Sequence, residues 1–194
     1  MNMHKLFFLF LFSLLFSFAK AQSDDKALNT RLNEYMAWSS QLNFEKIMDY
    51  IHPSLFRIIP KQTMLEALKA PFESNEVKVT LDSLAVLEVS PVFTHNSSDY
   101  RKVKYRVVMD MYFTDKEAVE NNSFIDLVLS GLQGEFPDSK VSFDKSRKSF
   151  HISGTDILIA IKDKNTQWMF VGTEKDNELM DKLFAKEVRE KFQF

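Results

Sequence analysis

Asp49 and His52 stand three residues apart on a candidate helix, close enough along one face for their side chains to meet. An imidazole held by a carboxylate is the usual general base, so this pair is the first place to look for proton transfer, with a tyrosine as its natural companion. The competing reading is a helix-end histidine in front of Pro53, interacting with the last turn. His95 and His151 are scattered, no two histidines stand at ligand spacing, and the sequence therefore assigns no metal and no cofactor. Asp110 lies among alternating residues whose apolar members are Tyr105, Met109 and Met111. Alternation turns it the other way, beside Lys104 and Arg106, as a solvated ion-pair partner. Asp156 by the same rule faces away from Ile157, Ile159 and Ile161. The inward faces read as free of acids. There is no Gly-rich phosphate loop, nucleophile elbow or helical zinc-protease pair. The chain has no cysteine, which excludes thiolate catalysis, disulfides and lipid attachment through a cysteine.

The elements that must position these residues follow from periodicity. Leu28, Leu32, Tyr35, Ser39 and Leu42 recur at helical spacing. A second helix is expected over Asn43 to Ile51, with Phe44, Ile47, Met48 and Ile51 inward and Pro53 as its boundary. A third starts near Pro60 and stops before Pro71. From Val77 the period becomes two, with Val77, Val79, Leu81, Ala85, Leu87 and Val89 on one side. Val103, Tyr105, Val107, Met109, Met111 and Phe113 make a longer half-buried strand, and His95 to Asp99 suits a hairpin turn. Thr114 and Glu117 have capping-box spacing and open a helical segment that Gly134 ends. Two hairpins follow, 141–153 and 155–172. A last helix runs through Leu179, Leu183, Phe184 and Val188.

Composition bounds the rest. Lys5, the apolar run from Leu6 to Phe18 and the small residues Ala19 and Ala21 have the layout of a secretory signal. The run is too short for a transmembrane helix. Residues 1–21 are expected to be cut off after Ala21, leaving a single exported domain, 22–194, periplasmic or secreted. Without Lys5 and Lys20 it holds 23 basic against 27 acidic side chains, a net charge of −4, which argues against nucleic acid.

The order of elements, the leader ending at Ala21–Gln22, the segment Pro53-Ser54-Leu55-Phe56 and the terminal Trp168-Met169-Phe170-Val171 carry a resemblance. The chain resembles the nuclear transport factor two-like superfamily, cone-shaped α+β domains that include polyketide-cyclase-like proteins, and within it small exported proteins of the Bacteroidota. The resemblance implies a curved antiparallel sheet wrapped around N-terminal helices, with a pocket used by some members for catalysis and by others for binding. The segment Thr114 to Phe136 departs from the simplest version of that plan as an inserted helix.

Tyr35, Trp38, Tyr105, Met109 and Trp168 are the expected pocket lining. Aromatic and thioether groups there suit an apolar ligand with one or two hydrogen bonds; otherwise they fill the core. The opposite sheet face mixes Lys102, Lys104 and Arg106 with Leu84, Val86, Val108, Leu158 and Ala160, a patch for a second subunit or a protein partner. The sequence thus reads as a non-catalytic exported module that binds a small apolar ligand or a protein. The alternative is a small isomerase, dehydratase or hydrolase using Asp49, His52 and a tyrosine.

Overall fold

The computed structural model describes residues 25–115, 117–164, 166–173 and 177–193. The expected leader, 1–21, lies outside them. The described chain is α+β: seven helices and a curved, open, six-stranded antiparallel sheet. Its elements run in this order: helix α1 over residues 25–40, then α2 (Phe44–Ile47), α3 (Pro53–Phe56) and α4 (Lys61–Lys69), and strands β1 (Val77–Val89), β2 (Phe93–His95) and β3 (Ser98–Phe113). These are followed by α5 (Asn122–Glu135), β4 (Lys140–Asp144), β5 (Ser149–Lys162), β6 (Met169–Gly172), α6 (Asn177–Leu183) and α7 (Lys186–Phe192). Among the described residues no helix is long and apolar enough to cross a membrane.

Several boundaries differ from expectation for local reasons. The second helix keeps one turn, capped by the Asn43 side chain. His52 then takes an extended backbone and caps a separate α3, with Pro53 in its first turn. Thr114 and Glu117 do not start α5. Asn121 does, accepting from the amides of Ser123 and Phe124, because asparagine is among the strongest caps. The C-terminal helix breaks at Phe184–Ala185 into α6 and α7. The segments 149–153 and 155–161 form one strand, β5.

Strands β3 and β5 pair along almost their whole length, from Asp99 opposite Lys162 to Tyr112 opposite Ser149. At one end β2 and β6 flank them; at the other, β1 and β4. In the β2–β3 hairpin, Asn96 and Ser97 have φ of 49° and 67°, the pair of left-handed residues that a tight two-residue turn requires. The chain also passes along the sheet edge, where Ile51 makes a parallel bridge to Phe170.

Two bulges correct the expected faces of β1. Register shifts fall between Leu81 and Ser83 and between Val86 and Glu88, and each extra residue reverses the alternation. Leu84, not Ala85, therefore turns to the side of Val103, while Ala85 and Leu87 are exposed. Leu158 and Ala160 are buried on that same side beneath α1, and Ile159 and Ile161 are buried on the other against α2, α3, α6 and α7. The sheet at this end is sandwiched between helices. The expected patch of Leu84, Val86, Leu158 and Ala160 beside the basic trio does not assemble; of its apolar members only Val108 shares a face with Lys102, Lys104 and Arg106. Beyond the middle of the sheet, α5 packs Ile125 and its neighbours on Phe150, Met111 and Phe113.

Candidate functional site

Strand register builds a polar cluster on the face opposite α5. The β3–β5 pairing sets Asp110 across from His151, and the first bulge of β1 leaves Asp82 as the extra residue nearby. Nδ1 of His151 donates to Oδ1 of Asp110 at 2.9 Å. The Arg147 guanidinium, carried in on the β4–β5 turn, lies 2.7 Å from the other carboxylate oxygen and donates to the Tyr112 hydroxyl at 2.6 Å. The turn is held by Asp144, which accepts from the amides of Ser146 and Arg147. Asp110 has 0% of its side chain exposed, yet Arg147 above it is 49% exposed and His151 36%, so it is shielded by a thin lid rather than deep. Burial pushes its carboxyl up; hydrogen bonding to His151, the charge of Arg147 and a hydrogen bond with Asp82 pull it below the ordinary aspartate value. The face assigned to Asp110 by alternation is correct, but the expectation of a solvated group paired with Arg106 or Lys104 is not.

His52 and Asp49 do not form a dyad. Asp49 is exposed and pairs with Lys61 at 3.4 Å. His52, 7% exposed, instead meets Asp163, 111 residues away, through Nε2 at 3.1 Å. Its Nδ1 accepts from the Ser54 hydroxyl at 2.8 Å and, more weakly, from the Ser54 amide, which leaves the ring proton on Nε2. Ser98 donates to the second oxygen of Asp163. Burial lowers the His52 pKa and outweighs the attraction of Asp163; hydrogen bonding from Ser98, offset in part by burial, holds Asp163 below its usual range. Serine, imidazole and carboxylate are in line, but the serine stands on the nitrogen that caps α3. This is the wiring of a clamp between α3, the start of β3 and the end of β5.

Four of the five expected lining residues, Tyr35, Trp38, Tyr105 and Trp168, meet in one packed interior cluster. Tyr35 packs on Phe170 with ring centroids 5.1 Å apart and its phenol is pushed up to about 12, chiefly by burial and next by Asp156. Trp38 joins the same packed interior, and Trp168 is 2% exposed. Tyr105 donates to Asp156 at 2.8 Å. Met109 lies farther along β3, opposite Leu81 and Ile152. Asp156 faces away from Ile157, as alternation requires, on the side it shares with Leu158 and Ala160 but beyond their buried cluster. It is exposed and also accepts from the amide of Ile157 at 2.7 Å.

Two of the grooves formed by the described residues bear on binding. One, of about 570 Å³, is lined by Lys26, Ala27, Thr30, Arg31 and Glu34 of α1 with Lys162, Thr166, Gln167 and Trp168. Arg31 fixes it, donating to the carbonyls of Trp168 at 3.1 Å and Asp49 at 3.2 Å while stacking 3.9 Å over the Tyr50 ring. The other, of about 550 Å³, runs past Glu88, Lys102, Lys104, Asp138 and Thr173.

The chain matches no protein-family model, and no curated protein matches it in sequence.

Proposed function

We propose that this chain is an exported, non-catalytic binding module that takes a small apolar ligand with an anionic end in the groove between α1 and the β5–β6 connection. The observation that carries the reading is the lining of that groove: an indole and an alanine beside Lys26, Arg31 and Lys162, with Glu34 the single acid among the described residues. Its volume falls within the ordinary range for small-molecule sites. Long cationic stems add apolar cover while their heads stay at the surface. The reading keeps Trp168 from the expected lining and moves the site from the packed interior to its outer wall. Export rests on the leader, and kinship with the nuclear transport factor two-like domains on the order of elements.

The chain has two tryptophans, so a Trp38→Phe variant leaves Trp168 as the sole indole. Its emission should respond saturably to decanoate, more weakly to decanol, and roughly tenfold more weakly to decanoate in Lys26→Glu. Equal responses to acid and alcohol would remove the anionic end from the proposal; no saturation with either would remove the site. Protein from its own host should begin at Gln22 by amino-terminal sequencing. Co-purification of a protein without any small molecule in the native mass spectrum would transfer the reading to a protein partner. An acid–base enzyme remains the second reading, supported by the imidazole that Asp110 holds; its signature would be turnover abolished by His151→Ala and untouched by Lys26→Glu.

A further inference from the structure

The cluster around Asp110 contains more than an ion pair needs. A carboxylate oxygen from Asp82, one from Asp110 and a ring nitrogen of His151 all lie within 4.8 Å of one another. Donors around one ion bound at about 2.1 Å sit roughly 3–4 Å apart, so small side-chain rotations would close this set on a shared centre. Two carboxyl groups in contact need a proton or a cation between them. Arg147 supplies only part of that charge, on Oδ2 of Asp110, while Oδ1 faces His151.

A second observation points to a ligand. Ser149 stands two residues before His151 on β5, on the same face and directly opposite Tyr112. Its side chain is wholly buried and its hydroxyl has no partner among the described residues. A buried hydroxyl without a partner is costly, and a water held by an ion in this cluster would satisfy it. The placement of Asp82 is also suited to the purpose, because a bulge re-aims a side chain at the point where the regular ladder is interrupted.

We propose that Asp82, Asp110 and His151 form a binding site for one divalent transition-metal ion, zinc in the first place. One imidazole and two carboxylates favour zinc over calcium, which takes six to eight oxygens. In the loaded site Nδ1 of His151 turns its lone pair to the ion, the ring proton moves to Nε2, and Arg147 keeps its hold on Oδ2 of Asp110. The assignment stands apart from the groove at Trp168, which shares no residue with it.

Isothermal titration calorimetry of the purified chain, free of any polyhistidine tag, should show one Zn²⁺ per chain and much weaker binding of Ca²⁺. Asp82→Asn, at an exposed position, should weaken zinc at least tenfold while leaving the thermal melt unchanged, and His151→Ala should weaken zinc likewise at some cost in stability, because it also takes a partner from the buried Asp110. His95→Ala should bind as the parent does. Backbone amide shifts induced by zinc should centre on residues 82, 110 and 151. No binding at micromolar zinc, equal binding by Asp82→Asn, or a preference for calcium would each overturn the proposal.

Discussion

Asp110 illustrates how a residue's face and its environment are separate questions. Alternation along β3 correctly put it opposite Met109 and Met111, but no local rule could show that Arg147, His151 and Asp82 would converge on it from three other segments. His52 failed for the same reason: its partner, Asp163, is 111 residues away, whereas sequence reasoning sees pairs three or four apart. A faint signal existed for Asp110, since an acid in the middle of a sixteen-residue strand calls for a partner. Because the carboxylate is shielded, Asp110→Asn should cost about 1–3 kcal/mol, measured by urea unfolding near neutral pH. The sign of the pH effect is fixed by the lowered folded-state pKa. The stabilising contribution is complete above the ordinary aspartate value and disappears as pH falls through the lower folded value, so parent and variant should converge in acid. A gap that stays constant down to pH 2 would contradict this account.

At the scale of elements the helices and strands were legible because their apolar periods are long: Leu28 and Leu32 in α1, and Val103 with Tyr105 in β3, fall where periodicity put them. The bulges of β1 were not, since an extra residue leaves no mark on composition and only shifts the phase. Two close fits make predictions here. A methyl group at Gly154 would come within 2.1 Å of the Ser139 hydroxyl and 2.9 Å of its Cβ, which no rotation of the hydroxyl relieves. Gly154→Ala should lower stability by roughly 1–3 kcal/mol, and Ser139→Gly in the same chain should restore most of it; a lone Gly154→Ala with the parent's melting temperature would show that the approach is not tight. Ser97, at φ 67°, occupies a position that favours glycine. Ser97→Gly should therefore raise stability by about 0.5–1 kcal/mol, and a drop in denaturation midpoint would count against the turn as described.

For the whole molecule, the clamp at His52 sets the response to mild acid. Burial pulls the His52 pKa below its ordinary value of 6.5, so the unfolded chain takes up the proton more readily. Its contribution is fully present above pH 6.5 and is lost as pH falls through the lower folded value. Denaturation midpoints of the parent should decline from pH 7 toward pH 5, and His52→Asn should flatten that limb; an unaltered limb would place the effect elsewhere. The α+β class could be read in advance because it depends on summed patterns, whereas the curved antiparallel sheet was implied by the resemblance and its openness was not foreseen. The sandwiching of one sheet end could not be read either, because β5 buries both its sides and its sequence alone does not say which helices cover which. One consequence concerns synthesis. Residues 50–52 lie along β6, where the Phe170 amide donates to the Tyr50 carbonyl at 2.7 Å, so this stretch waits for β6 even though the β3 and β5 neighbours of α1 are made earlier. A nascent chain halted at residue 160 should stay open to protease around residues 50–52, a seam that closes only once β6 has emerged.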